Sequence, residues 1–160
     1  MSTYELDDVD RQLLNLLQAD ARYSAIDLAE EIGVSDNTVH NRMDRLEEAG
    51  VVTGYTTNVD LERVGLRLHF NFTCTTSISD RKEVADKAME LPQIVEVMEL
   101  MTGQENLQIK AVGTEDDDIT RIAERLDDLA LTINDENLVR DEHTKPIDLV
   151  ELGEMIAAGE

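Results

Sequence analysis

The chain has 160 residues, 41% of them hydrophobic, enough for one sizeable core or two small ones in a globular protein. Its 14 Lys and Arg face 36 Asp and Glu, a formal net charge of -22. That balance argues against a partner held by a broad basic face, because phosphate binding draws most of its affinity from cationic side chains. The single cysteine, Cys74, excludes an intramolecular disulfide and a cysteine-based zinc site.

The N-terminus has neither a basic start nor an apolar run, and no segment approaches ~18 consecutive apolar residues. The expectation is therefore a cytoplasmic protein, neither exported nor membrane-spanning. The acidic residues are spread over both halves and form no tail. Such a surface suits a very salty cytoplasm, where screening shortens electrostatic range to a few Å, or simply an acidic protein of ordinary habitat.

In chain order, Asp7 is placed to cap a first helix in which Val9, Leu13, Leu16 and Leu17 recur at helical spacing. Ser24, with Asp27 three residues on, has the form of a capping box for a short second helix carrying Leu28, Ala29 and Ile32 inward. Gly33 tolerates positive φ, Ser35 caps again, and a third helix runs to Ala49 before Gly50 stops it. Helix, tight glycine turn, helix is the helix-turn-helix signature.

After Gly50 the period changes to two. "VVTGYTTNV" is expected to form a small hairpin or wing and a connecting strand. Val64, Leu66, Leu68, Phe70 and Phe72 alternate with Arg67, His69, Asn71 and Thr73, which reads as a strand. A helix over 79–91, strands over 93–101 and 106–113, a helix from Thr114 and a last strand near "LVRDEHTKPI" follow. The fold class is α+β: a winged helix-turn-helix, then the βαββαβ order of a ferredoxin-like domain with both helices on one face of an antiparallel sheet. Expected boundaries are 1–52 for the helix-turn-helix, 53–63 for wing and linker strand, 64–148 for the ferredoxin-like domain and 149–160 for a tail of open role.

At ~100° per residue, Val39, Met43 and Leu46 form the buried face of the third helix. The opposite face presents Asn37, Asn41 and Asp44, flanked by Thr38, His40 and Arg45, with Arg42 on the shoulder. Amide and guanidinium groups make paired hydrogen bonds to adenine and guanine edges, and Ser or Thr reaches phosphate or base. The helix N-terminus at Ser35 also offers backbone N–H groups to a phosphate. Any amphipathic helix has a polar outer face; the preceding short helix and glycine turn move the reading to DNA. The DNA-binding candidates are Ser35, Asn37, Thr38, His40, Asn41, Arg42 and Arg45.

From Leu6 to the last strand, the sequence resembles the Lrp/AsnC family of feast/famine regulators. The resemblance rests on an opening Leu-Asp-x-x-Asp (Leu6, Asp7, Asp10), an Arg-x-Ser before the second helix (Arg22, Ser24) and a Gly-Tyr-x-x-x-x-Asp/Asn linker (Gly54, Tyr55, Asp60). It implies a winged helix-turn-helix followed by a ferredoxin-like regulatory domain that dimerises sheet to sheet, often assembles further, and takes amino acids or similar metabolites as effectors. The expected partners are double-stranded operator DNA and a homodimer or higher homo-oligomer, whose closed twofold symmetry matches a palindromic site.

The family's Gly-x-x-Asp effector turn aligns with "TGQENLQIK". The implied effector-binding residues are Gly103, Gln104, Glu105 and Asn106, with Asn where Asp is common. An Asn offers a donor and an acceptor but no charge for an α-ammonium group, and Glu105 is placed to supply it. "GQEN" is equally readable as a solvated turn.

No metal or other cofactor is expected: His69 and His143 lack two further ligands at suitable spacing, and Cys74 lacks a base partner. Relatives of the same two-domain layout, the sirohaem decarboxylases, define an enzymatic alternative. The linker "GYTTNVDLERVGL" holds no histidine and only Arg63 as a cation, so the expectation is a regulator and not an enzyme. Another alternative is a protein partner for the first domain, recognised through the acidic surface.

Overall fold

The computed structural model describes residues 4–101 and 103–158. The chain divides into two compact units, one of residues up to Asn58 together with those from Thr144 onward, the other Val59–His143.

In the first unit, α1 (Asp8–Ala19) starts at a reciprocal cap: Asp7 accepts from Asp10 N, and the Asp10 carboxylate accepts from Asp7 N. The short α2 (Ala25–Ile32) begins with the expected Ser24 and Asp27 box, and Gly33 at φ 82 turns the chain. Ser35 then caps α3 (Asp36–Glu48) by accepting from Thr38 N at 3.1 Å. Leu13, Leu14, Leu17, Leu28, Ala29, Val39 and Leu46 form the core, with Met43, Val51, Val52 and Leu149 packed against it. Each fully buried leucine contributes about 1.5–3 kcal/mol relative to exposure, so this small cluster is what holds three short helices together. A last helix, α6 (Leu149–Ala158), packs along α1.

The hairpin expected at 51–59 is not formed among the described residues. The two valines that would begin it are used to close α3: Val51 N and Val52 N both donate to Leu46 O, at 2.9 and 3.1 Å, past Gly50 at φ 70. The chain beyond has no ladder partner among the described residues, and Tyr55 donates its hydroxyl to Glu47 of α3 at 2.7 Å.

The second unit contains β1 (Leu68–Thr75), α4 (Arg81–Met89), β2 (Ile94–Glu99), β3 (Leu107–Gly113), α5 (Asp118–Asp127) and β4 (Thr132–Val139). The sheet order is β2-β3-β1-β4 and every neighbouring pair is antiparallel, the ferredoxin-like arrangement. Phe70, Phe72 and Cys74 of β1 and Leu107, Ile109 and Ala111 of β3 face Val84 and Ala88 of α4 and Ile122 and Leu126 of α5. On the other face His69, Asn71, Thr73, Gln108 and Lys110 are only half-buried.

Two strands differ from expectation. The first begins at Leu68, because Gly65 N donates to Glu62 O and Leu66 N to Leu61 O, turning residues 61–65 and leaving Val64 exposed. The last is Thr132–Val139, earlier than "LVRDEHTKPI". Its sequence, "TINDENLV", lies at the sheet edge with mostly exposed side chains, so no apolar alternation marks it; backbone pairing with β1 makes it a strand. His143 consequently lies outside any strand and is exposed.

Two close approaches fix the turns of this unit. A Cβ on Gly113 would come within 2.8 Å of Asp118, whose carboxylate accepts from Thr114 N at 2.7 Å and Glu115 N at 3.0 Å and starts α5. Between α5 and β4, Ala130 adopts φ 58, and its carbonyl accepts from the Thr76 hydroxyl at 3.1 Å. A left-handed non-glycine residue costs about 1–2 kcal/mol, partly recovered by glycine. Ala130→Gly should therefore leave stability unchanged or raise it by up to ~1 kcal/mol in urea unfolding, in contrast to Ala→Gly within α4, which should lower it by roughly the same amount. A clear loss at Ala130 would show that this turn is not strained.

Candidate functional site

The outer side of α3 presents Asn37, His40, Asn41, Asp44 and Arg45 to solvent, while Val39 and Leu46 are buried beneath. Thr38 is half-buried, its hydroxyl 2.8 Å from Ser35 Oγ. The helix N-terminus is less open than its sequence suggests: Ser35 takes Thr38 N, and the Asp36 carboxylate takes Asn37 N at 2.9 Å. Ser35 therefore acts as the cap, and a carboxylate already sits where a phosphate would be held. Arg45 forms no ion pair among the described residues.

Arg42 has a different position from that expected on the shoulder of the reading face. Its guanidinium turns back onto α1, where Nη1 donates to Asp7 and, at 2.9 Å, to Asp10 Oδ1. The Asp10 side chain is only 2% exposed and that of Arg42 21%. A carboxylate so buried is costly unless paired, and Arg42 is the cation that pairs it. The hydrogen bonds to Asp7 and Asp10 raise the Arg42 pKa, and the same guanidinium holds the Asp7 carboxyl below its usual range. Arg42 thus forms an internal strut between α3 and the start of α1. Asp7 and Asp10 were visible in the sequence as a helix start, but no spacing rule connects them to a side chain more than 30 residues away.

In the second unit, Gly103, Gln104 and Glu105 border an open cavity of about 250 Å³ together with Asn134. Asn134 is the extra residue of a β-bulge, since Thr73 pairs with Asp135 and Cys74 with Ile133. The Thr75 hydroxyl lies 2.8 Å from Asn134 Oδ1 and 3.1 Å from Gln104 O, within donating distance of both, and joins the two sides. The sequence gives no sign of Asn134, because a bulge is a property of the pairing.

Asn106 faces inward. It is 5% exposed; its Nδ2 donates to Thr76 O at 2.8 Å and its Oδ1 accepts from Thr76 N at 3.0 Å. A carboxylate could not reproduce this peptide-like pair, since it has no donor. The amide fastens the loop to the end of β1 and is not directed at the cavity.

A model of winged helix-turn-helix DNA-binding domains matches residues 6–53. The HTH-type transcriptional regulator FL11 of Pyrococcus furiosus is 31% identical over 105 residues, covering 66% of this chain and 69% of that protein. The chain belongs to the Lrp/AsnC family.

Among solved Lrp/AsnC-type folds, AsnC of E. coli superposes with a TM-score of 0.78 at 21% identity, over 91% of this chain and 99% of that one. A transcriptional regulator from Neisseria meningitidis, solved as a complex with L-Met, superposes with a TM-score of 0.81 at 23% identity, over 92% and 99%. The chain is a transcriptional regulator of the Lrp/AsnC type with a helix-turn-helix DNA-binding domain. The decarboxylase alternative finds no support in these relatives, which are named as regulators.

The remaining candidate chemical groups have plain settings. Cys74 is buried, and that burial pushes its thiol up to about 12, far from a nucleophile's range. Among the described residues no cluster of His, Cys, Asp and Glu has the arrangement to hold a metal, and no helix is long and apolar enough to cross a membrane.

The Arg42 strut makes a prediction with a definite sign. Arg42→Ala leaves Asp10 buried without its cation and should lower stability by about 2–4 kcal/mol in urea unfolding. Because Asp7 ionises below the usual carboxylate range, its contribution is complete above about pH 4 and is lost as pH falls through its folded value. Arg42→Ala should therefore also flatten the acid limb of the stability profile. An Arg42→Ala chain of unchanged stability, defective only in DNA binding, would return Arg42 to the DNA face.

A second expectation concerns the loop. Asn106→Asp should cost about 1–3 kcal/mol, since Thr76 O loses its donor and gains a carboxylate neighbour. Asn134→Ala, at the exposed rim, should cost much less by the same measurement.

Proposed function

We propose that this regulator reads a palindromic operator through α3, as a homodimer or higher homo-oligomer, and that an amino acid or related metabolite held at the 103–105 loop modulates it. The observation that carries the DNA reading is the division of labour on α3. Arg42 is spent on Asp7 and Asp10, while Asn37, His40, Asn41 and Arg45 stand exposed on the far side. Asn and Arg are the side chains with bidentate complements on adenine and guanine, so Asn41 and Arg45 specify sequence and the rest position the helix.

Sheet-to-sheet pairing is supported by the half-buried face carrying His69, Asn71 and Lys110, opposite the face on which α4 and α5 pack. Closed twofold symmetry then sets two recognition helices about one helical turn of DNA apart or a multiple of it. For the effector, Glu105 is exposed beside the cavity and supplies the carboxylate that an α-ammonium group requires. L-Met in the Neisseria relative is consistent with that chemistry.

The acidity is read as adaptation to molar salt. Ordinarily log K for DNA falls with log[salt] at about -0.9 per phosphate neutralised. On α3 the exposed cation Arg45 is outnumbered by Asp36, Asp44, Glu47 and Glu48, so cations must be retained or taken up when DNA approaches.

In fluorescence titrations on DNA upstream of its own gene, Asn41→Ala or Arg45→Ala should cost about 1–3 kcal/mol for the specific site and much less for random DNA. Equal loss on both would reassign the side chain to phosphate; loss on neither would remove α3 from the groove. Affinity should stay flat or rise between moderate and molar KCl, with folding monitored by circular dichroism. A steep decline in folded protein would contradict the salt reading.

A further inference from the structure

The first unit is discontinuous: its three leading helices are joined by a helix that follows the whole of the sheet unit in sequence. The seat of α6 is specific. Arg11, Asn15 and Gln18 form one stripe of α1, at i, i+4 and i+7, and α6 or the residues leading into it meet all three. Asn15 donates from Nδ2 to Asp148 at 2.8 Å and accepts from Leu149 N at 2.9 Å, and Gln18 Nε2 donates to Ile147 O at 3.2 Å. The Arg11 side chain crosses Gly153 so closely that a Cβ there would lie 2.7 Å from its Nε. Asp148 meanwhile caps α6, accepting from Val150 N and Glu151 N at 3.0 Å each.

Glycine in a helix interior weakens it, and an isolated helix of ten residues is marginal in water. The helix therefore depends on its seat. Leu149 reaches the core of the unit, and with Pro146 it also borders a cavity of about 800 Å³ whose other walls include Leu14, Leu17 and the segment through Asn58. Both passages of the chain between the two units thus run past the end of α1, the helix whose Asp7 and Asp10 hold Arg42 of α3.

We propose that α6 is a clasp on the DNA-binding unit: seated on the Arg11, Asn15 and Gln18 stripe, it fixes α1 and through Arg42 the recognition helix, and its release weakens DNA binding. The functional half of this inference rests on the α3 reading above. A movement of the sheet unit that pulls on residues 144–148 has, in α6, a direct handle on the helix-turn-helix.

The test combines hydrogen exchange with DNA titration on the full chain. In wild type the α6 amides should be protected at least tenfold over unstructured peptide. Gly153→Pro, which breaks α6 without touching α3, should abolish that protection and lower affinity for the upstream DNA at least threefold at fixed KCl. Asn15→Ala, which removes both hydrogen bonds of the stripe's centre, should act in the same direction more weakly. Free exchange of α6 in wild type, or release of α6 with affinity unchanged within twofold, overturns the clasp alone. A wild-type chain that binds no DNA, with α6 protected, overturns the α3 reading and the clasp's control of it together.

Discussion

A carboxylate with almost no access to water sits in the first turn of α1, and the placement of the recognition helix follows from it. Asp10 caps its own helix through Asp7 N and must also meet a cation, and Arg42 of α3 supplies that cation. An apolar contact between the two helices would tolerate sliding, since dispersion has little directional preference. A guanidinium shared between two carboxylates does not, because its donors lie in a fixed plane. The leucine core brings α1, α2 and α3 together, and the buried pair sets the register of α3 on α1.

The same economy of charge explains how so acidic a protein accommodates a helix-turn-helix. Few cations are available, and most are paired: Arg22 to Asp20, Arg42 to the α1 cap, Arg63 to Asp60, Arg81 to Glu99, Lys82 to Asp86, Lys87 to Glu83, Lys110 to Glu96 and Glu142, and Arg121 to Asp118. Only a minority of charge remains to meet phosphate. On the proposed reading of α3, readout falls to amides and Arg45, with net attraction left to conditions that screen the surrounding carboxylates.

Where the fold was legible, the cause was periodicity or capping chemistry. The three leading helices announce themselves through Asp7, Ser24, Gly33 and Ser35, and the alternation over Leu68–Thr75 reflects a sheet with one buried face. Elements that owe their conformation to pairing alone were not legible. The edge strand β4 has a polar sequence and owes its conformation to β1, and the absent hairpin failed because Val51 and Val52 serve the end of α3. At the candidate sites, residue type identified Asn41 and Arg45 on the outer face. It did not reveal the bonding of Arg42, whose partners Asp7 and Asp10 lie far off in sequence, or Asn134, which only a bulge brings to the loop. Asn106 stands between these cases: its position was evident, its inward bonding was not.

The split of the first unit across the chain also bears on how the protein is made. Chains fold largely as they emerge, N-terminal parts first. Here α1, α2 and α3 are complete before β1 is synthesised, yet residues 144–158 appear only after β4. Until then Asn15 and Gln18 lack their partners and Leu149 is missing from the core edge. The helix-turn-helix is thus translated before the sheet unit and receives α6 after it, so on a nascent chain the contacts of Asn15 and Gln18 form only once the sheet unit has been made.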